Sequence, residues 1–237
     1  MTQGLTEEQI QREYYARTAG DYDVAHIARG DEHHMALAFM VGMLEFLDAR
    51  SVLDVGTGTG RVLRYLKTHA PGVSRAGVEP VAELRQIACA SGIDAAEIHG
   101  GDATQLPFGD NSFDVVCAFG VLHHVRDHSR VVSEMLRVAN KAILISDANN
   151  FGQGAGWKRA LKQALHATGL WGVADLLKTR GRGYSITDGD GLAYSYSVYS
   201  DYPVVRARCR TVHVFNTLDA ATNPYRSAPH VALLGIK

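Results

Sequence analysis

No run of apolar residues in this chain approaches the roughly 20 that a membrane-spanning helix requires, so no transmembrane helix is expected. The opening Met1-Thr2-Gln3-Gly4-Leu5-Thr6-Glu7-Glu8-Gln9 lacks the basic and apolar blocks of a secretory signal. Cysteine is scarce. Cys89, Cys117 and Cys209 are widely spaced, odd in number and without metal-ligand spacing, which argues against a disulfide framework and against a metal site. Buried free thiols in a reducing cytoplasm are expected instead. Charge of one sign is also missing. A formal net charge of -1 leaves no electrostatic footprint for nucleic acid or for an acidic membrane, beyond local patches. There is no internal repeat and no low-complexity tract. What remains is a chain of 237 residues, 46% hydrophobic, which is enough for a single α/β domain with a sizeable core.

The stretch Ser51-Val52-Leu53-Asp54-Val55-Gly56-Thr57-Gly58-Thr59-Gly60-Arg61 organises the rest. An apolar run broken only by Asp54 predicts a strand, alternate glycines predict a tight turn, and the following R-V-L-R-Y-L-K has helical spacing. Glycine suits a turn where the backbone takes positive φ or lets a ligand lie against it. Such a turn between a parallel strand and a helix is where a doubly wound sheet binds nucleotide-like ligands. Upstream, Thr6 and Gln9 form a capping-box pair for a short helix, and an apolar face predicts a second helix over 31–47. Downstream, strands are expected over 75–78, 96–99, 113–119 and 142–146, alternating with helices over 81–91 and 128–138, a pattern of parallel strands with helices on both faces. After Asn150, two amphipathic helices (157–167 and 170–178) precede a hairpin signalled by Asp188-Gly189-Asp190-Gly191 and expected to insert in the sheet. Strands over 208–215 and 230–236 end the chain as an antiparallel hairpin.

The dinucleotide fingerprint G-x-G-x-x-G fails here, because Arg61 stands at the third position. The acid-x-G-x-G-x-G pattern resembles motif I of the class I S-adenosylmethionine-dependent methyltransferases. Glu79-Pro80 is similar to the second motif of that family, Gly101-Asp102-Ala103 to the third, and L-P-F-G-D-N-S-F-D-V-V-C-A-F-G-V-L-H-H-V to the fourth motif of its type 11 branch, which includes ubiquinone and menaquinone methyltransferases. The resemblance covers roughly 100 residues. It implies a Rossmann-like, doubly wound α/β fold: a mostly parallel seven-stranded sheet with an antiparallel C-terminal hairpin, an N-terminal helical lid, and a helix/hairpin insertion after strand five. As a single domain, 1–48 would be the lid, 49–150 the cofactor-binding core, 151–200 the acceptor-binding insertion and 201–237 the strands completing the sheet.

The resemblance further implies S-adenosyl-L-methionine as cofactor and S-adenosyl-L-homocysteine as product. Gly56, Thr57, Gly58 and Gly60 would wrap its amino-acid end, with Asp54 acting through turn amides or water. Glu79, beside Pro80, would accept from both ribose hydroxyls. Asp102 would accept from the adenine amino group, with Gly101 and Ala103 alongside, and Phe119, Tyr15 and Tyr22 would close the site, an aromatic face attracting the sulfonium. Methyl transfer to an oxygen nucleophile benefits from a general base. His123 and His124 past strand four, and His33, are the candidates, a helix-capping or packing role being the alternative. His34, Trp157, Arg159, Tyr194 and Tyr196 are candidate acceptor contacts for a sugar, a phenol or another small metabolite. Carbon or nitrogen acceptors, an RNA or protein substrate, and a non-catalytic cofactor-binding protein are the alternatives. The protein is expected as a monomer or homodimer.

Overall fold

The computed structural model describes residues 5–26, 30–218 and 222–237. Helix α1 (Glu7–Thr18) begins with the capping box read from sequence, Thr6 and Gln9 satisfying each other's backbone amides. A short α2 (Tyr22–His26) and α3 (His34–Phe46) follow. The lid expected over 1–48 includes residues 1–4 and 27–29, which lie outside the described residues.

The core then alternates as expected: β1 (Ser51–Val55), α4 (Arg61–His69), β2 (Ser74–Val78), α5 (Ala82–Ala90), a two-residue β3 (Ile98–His99), β4 (Phe113–Phe119), α6 (His128–Val138) and β5 (Ala139–Ala148). The last strands, β8 (Thr211–Asn216) and β9 (His230–Ile236), complete a seven-stranded sheet of order β3-β2-β1-β4-β5-β9-β8. β1 to β5 pair in parallel, and β9 runs antiparallel to both β5 and β8. This is the Rossmann-like, mostly parallel seven-stranded fold.

The sheet is apolar on both faces because helices cover both. One face buries Leu53, Val55, Val116, Ile143 and Ile145 with Val131, Val132 and Met135 of α6. The other buries Val52, Cys117 and Leu144 with Leu37 and Met40 of α3 and Leu66 of α4. Burying each such side chain contributes about 1.5–3 kcal/mol. The switch point of strand order, where the chain departs to opposite sides of β1, opens a crevice at the carboxyl ends of β1 and β4.

Two expectations need correction. The hairpin signalled by the Asp188–Gly191 turn is not in the main sheet. Its strands β6 (Ser185–Thr187) and β7 (Gly191–Ala193) pair only with each other and lie against α1. The backbone explains it: Leu192 N–H donates to Gln11 Oε1, and Tyr14 OH donates to Asp188 O, so side chains of α1 hold the hairpin. The strand expected over 208–215 starts later, at Thr211, and the segment before it is helical. That segment holds α9 (Tyr202–Arg208), with Pro203 in its first turn, where a missing N–H costs no hydrogen bond. The insertion also contains α7 (Gly156–Ala167) and α8 (Trp171–Lys178), as the spacing predicts. Among the described residues no helix is long and apolar enough to cross a membrane.

Candidate active site

The turn after β1 is built by its glycines. Gly56, Gly58 and Gly60 all have positive φ (74°, 55° and 85°), a region that a side chain strains. A Cβ on Gly56 would also lie 2.4 Å from Val121 Cγ2. Gly60 serves packing: its Cα faces Ala88 and Ile93 of the neighbouring helix layer, and it borders none of the cavities described below. The turn amides of Gly56 and Thr57 donate to the Val78 carbonyl at 2.8 and 3.0 Å. Asp54 therefore does not take those amides, contrary to the expectation from sequence, because the Val78 carbonyl already holds them. Its carboxylate accepts from the Thr57 hydroxyl at 2.8 Å, and burial pushes its pKa up to about 7.

Glu79, 5% exposed at the end of β2, ties this turn to the next. One carboxylate oxygen accepts from Gly58 N–H and the other from Val81 N–H, each at 2.9 Å. Burial raises its pKa, and the two amides hold that rise back. Each oxygen keeps a second lone pair for a further donor. Glu79 and Pro80 border an open cleft of about 890 Å³, together with Gly56, Gly58, Gly101, Asp102, Ala103, Phe119, Tyr15 and Tyr22. These are sequence candidates from the strand ends and loops of the core and from α1 and α2, brought to one place. Asp102 is already engaged: Oδ1 accepts from Thr104 N–H and Oγ1, and Oδ2 accepts from Arg12 Nη2 at 2.6 Å. Burial opposes its charge, but these donors hold its pKa below the usual range.

Two further cavities adjoin the first. One, of about 1140 Å³, is bordered by Asp54, Thr57, Arg61 and His33. The other, of about 1130 Å³, is bordered by His33, Gly120, His123, Asp190, Tyr194 and Tyr196. The two histidines at their junction differ in state. His123 donates from Nδ1 to Asp147 (2.7 Å) and from Nε2 to Asp190 (3.2 Å). Burial disfavours its charge, but the two carboxylates outweigh this and raise its pKa to about 10. It stands as an imidazolium with no free lone pair. His124 donates from Nδ1 to the Leu192 carbonyl at 2.7 Å and accepts at Nε2 from the Tyr15 hydroxyl at 2.8 Å. Burial, and then the neighbouring His123 charge, lower its pKa, so it is neutral with a basic Nε2 facing the first two cavities. Asp147 accepts from His123, Val121 N–H, Leu122 N–H and Ala148 N–H, and these donors hold it well below the usual carboxylate range although burial works the other way.

His123, His124 and Asp190 bring three potential metal-ligand atoms within 4.8 Å of one another. The expectation of no metal did not foresee Asp190 here. In this arrangement the His123 imidazolium supplies the positive charge between the Asp147 and Asp190 carboxylates.

The remaining candidates separate. His33 borders the second and third cavities, its Nδ1 3.1 Å from Ser146 Oγ. His34 packs edge-on to Tyr65 and borders none of the three. Trp157 is 69% exposed, and Arg159 donates to the Gly154 carbonyl, both away from the cavities. Tyr194 and Tyr196 border the third cavity, their hydroxyls donating to Glu7 and Asp201. Sequence reading missed Gln11, Arg12, Asp147 and Asp190. A carboxylate ending the apolar strand A-I-L-I-S-D was a signal for Asp147, by the same logic that singled out Asp54. Asp190 was visible only as a turn residue.

Residues 53–143 match the family described as a methyltransferase domain. Among curated proteins, the demethylmenaquinone methyltransferase of Thermotoga maritima is 36% identical over 103 residues, 43% of this chain and 44% of that protein. The phosphatidylethanolamine N-methyltransferase of Cereibacter sphaeroides is 33% identical over 130 residues, 48% of this chain and 57% of that protein. The matches thus span about half the length of these curated relatives. Magnesium protoporphyrin IX methyltransferase from Synechocystis PCC 6803, solved with bound S-adenosylhomocysteine, shares the fold at 17% identity and a TM-score of 0.62, over 97% of this chain and 99% of that one. Residues 53–143, which hold the four ordered motifs, thus form a class I S-adenosylmethionine-dependent methyltransferase domain of the type 11 branch.

Proposed function

We propose that the protein transfers a methyl group from S-adenosylmethionine to a small-molecule acceptor, at an oxygen nucleophile. The observation that carries the cofactor reading is Glu79. It is a nearly buried carboxylate held by two backbone amides, with lone pairs left over at the edge of a roomy cleft. Ribose hydroxyls fit those lone pairs. Asp102 with Ala103 suits the adenine end, and the second cavity, with Asp54 and Thr57, the amino-acid end. When bound, the cofactor supplies an activated methyl on a sulfonium with a neutral thioether as leaving group. The chain's part is to align the acceptor and exclude water. Tyr15 and Tyr22 lie edge-on to each other, 5.7 Å between centroids, where α1 closes the cleft.

An acceptor hydroxyl must also lose a proton, and the neutral His124 offers Nε2 for it. Asp190 Oδ1, 3.3 Å from that nitrogen, would steady the imidazolium formed. The Tyr15 hydroxyl gives way to the acceptor. His123 serves as a fixed charge that positions Asp190. The third cavity, with Tyr194 and Tyr196, is the proposed acceptor side, within a division into lid (1–48), cofactor core (49–150), acceptor insertion (151–200) and closing strands (201–237). Turnover of a panel of hydroxylated, amine and carbon acceptors, followed by S-adenosylhomocysteine release, tests the reading. His124→Ala is expected to lower kcat about 10²–10⁴-fold on a hydroxyl acceptor with cofactor binding intact. Unchanged turnover in that variant rejects His124 as the base, and transfer confined to amines or carbons rejects the oxygen acceptor.

A further inference from the structure

Helices α7 and α8 leave much of their apolar surface in water. A surface helix normally turns its apolar stripe to the core and its polar face to solvent. In α7 polar residues are among those facing inward with Leu165: Lys162 Nζ donates to the Asn150 carbonyl, and Gln163 Nε2 donates to the carbonyls of Phe151 and Arg226 at 3.0 and 2.7 Å. Trp157 and Leu161, one turn apart, are exposed. In α8, Asp175 faces inward and accepts from the Ser195 hydroxyl, while Val173, Leu176 and Leu177 face out. Neither helix has a fully buried residue. Half of the large apolar side chains exposed among the described residues fall between 157 and 186, and Leu177 is 77% exposed. Exposed apolar side chains gathered on two helices that touch each other mark an interaction surface.

Charge says what covers it. The whole-chain balance of -1 hides a local asymmetry: residues 151–187 carry Lys158, Arg159, Lys162, Lys178, Arg180 and Arg182 against a single acidic residue, Asp175. Lys158, Lys178, Arg180 and Arg182 are exposed beside the apolar face, and Lys158 Nζ lies over the Trp157 ring, 5.5 Å from its centroid. Apolar anchors ringed by cations, with a tryptophan among them, are the chemistry of a helix lying in an anionic bilayer interface. A second copy of this chain would set the same cations against each other.

We propose that the α7–α8 hairpin docks this protein on the surface of an anionic lipid membrane, with Trp157, Leu161, Val173 and Leu177 seated among the acyl chains and the flanking lysines and arginines on the headgroups. The third cavity starts under this hairpin, at Lys178 and Ser185, and runs to Gly120, His123 and Asp190. On the methyl-transfer reading, the docked face is therefore the side from which an acceptor enters; the docking itself does not depend on that reading.

Both tryptophans of the chain, Trp157 and Trp171, lie in this hairpin, so intrinsic fluorescence reports on it directly. The experiment is co-sedimentation, without cofactor, with vesicles of phosphatidylcholine alone or mixed with phosphatidylglycerol, read alongside tryptophan emission. The expected result is binding and a blue shift with the anionic vesicles, weakened by salt. A Leu161→Ser, Leu177→Ser double variant is expected to lose about tenfold or more of that binding, and Lys158→Gln with Arg180→Gln to lose its dependence on the anionic lipid. Far-ultraviolet circular dichroism and a thermal melt of each variant show that it is folded. No association at low salt overturns the proposal. So does a wild-type dimer in sedimentation that the leucine double variant turns into a monomer, which would assign the face to a second copy.

Discussion

A carboxylate at a strand end inside a protein survives only with donors around it, and at this site two such groups meet that need differently. Glu79 takes two amides and keeps lone pairs for a ligand. Glu79→Gln preserves one acceptor but loses the charge that strengthens the proposed ribose contacts, so cofactor affinity should fall about 10–100-fold by calorimetry, and the thermal midpoint should drop as well, because the new amide nitrogen leaves one of the two backbone N–H groups unpaired. Asp54 has little but the Thr57 hydroxyl and a distant Cys117 thiol, and its folded pKa of about 7 lies above the ordinary 3.8. A raised carboxyl pKa means that the folded state holds a proton the unfolded state has released between those values. Its contribution to stability is thus present at acid pH and lost as pH rises towards 7. Asp54→Asn removes that loss. The stability difference between variant and wild type in urea should move in favour of the variant by a few kcal/mol from pH 4 to 8. A pH-independent difference would contradict the burial argument. The buried His33 and His230 also titrate in acid, with lowered pKa values, but they are common to both proteins and cancel in the comparison.

At the scale of elements, α1 acts as a clasp. Arg12 holds Asp102, Gln11 holds Leu192 N–H, Tyr14 holds the Asp188 carbonyl, and Glu7 pairs with Arg126 at 2.5 Å. Helix α1 thus joins the Asp102 end of the cleft to the small hairpin. The tightest point is Gly191, with φ +67° and a Cβ position 2.5 Å from Gln11 Oε1. Gly191→Ala should detach the hairpin from α1, seen as faster amide exchange in both, and should weaken the Asp190 contacts to His123 and His124, seen as a drop in kcat on an established acceptor. Equal exchange in variant and wild type would contradict the clasp. These contacts explain what was legible in the sequence. Gly56, Glu79 and Asp102 sit on strand–turn–helix units whose local pattern places them at the sheet's carboxyl edge. Gln11 and Leu192 are 181 residues apart. Neither a capping box nor a D-G-D-G turn says that those two segments meet, which is why the hairpin was expected in the sheet and Asp190 was read as a turn.

At the scale of the molecule, the parallel core is a rigid frame buried on both faces, and the sequence shows it because both-face burial leaves near-continuous apolar runs. The insertion is different: its helices expose apolar side chains, so amphipathic spacing gave their existence and not their direction. The account rests on the cleft between these parts being a methyl-donor site, and isothermal titration of the full chain with S-adenosylmethionine and S-adenosylhomocysteine tests it most directly. One equivalent of each should bind, and Glu79→Gln should weaken both. A folded protein that binds neither would contradict the account at its centre.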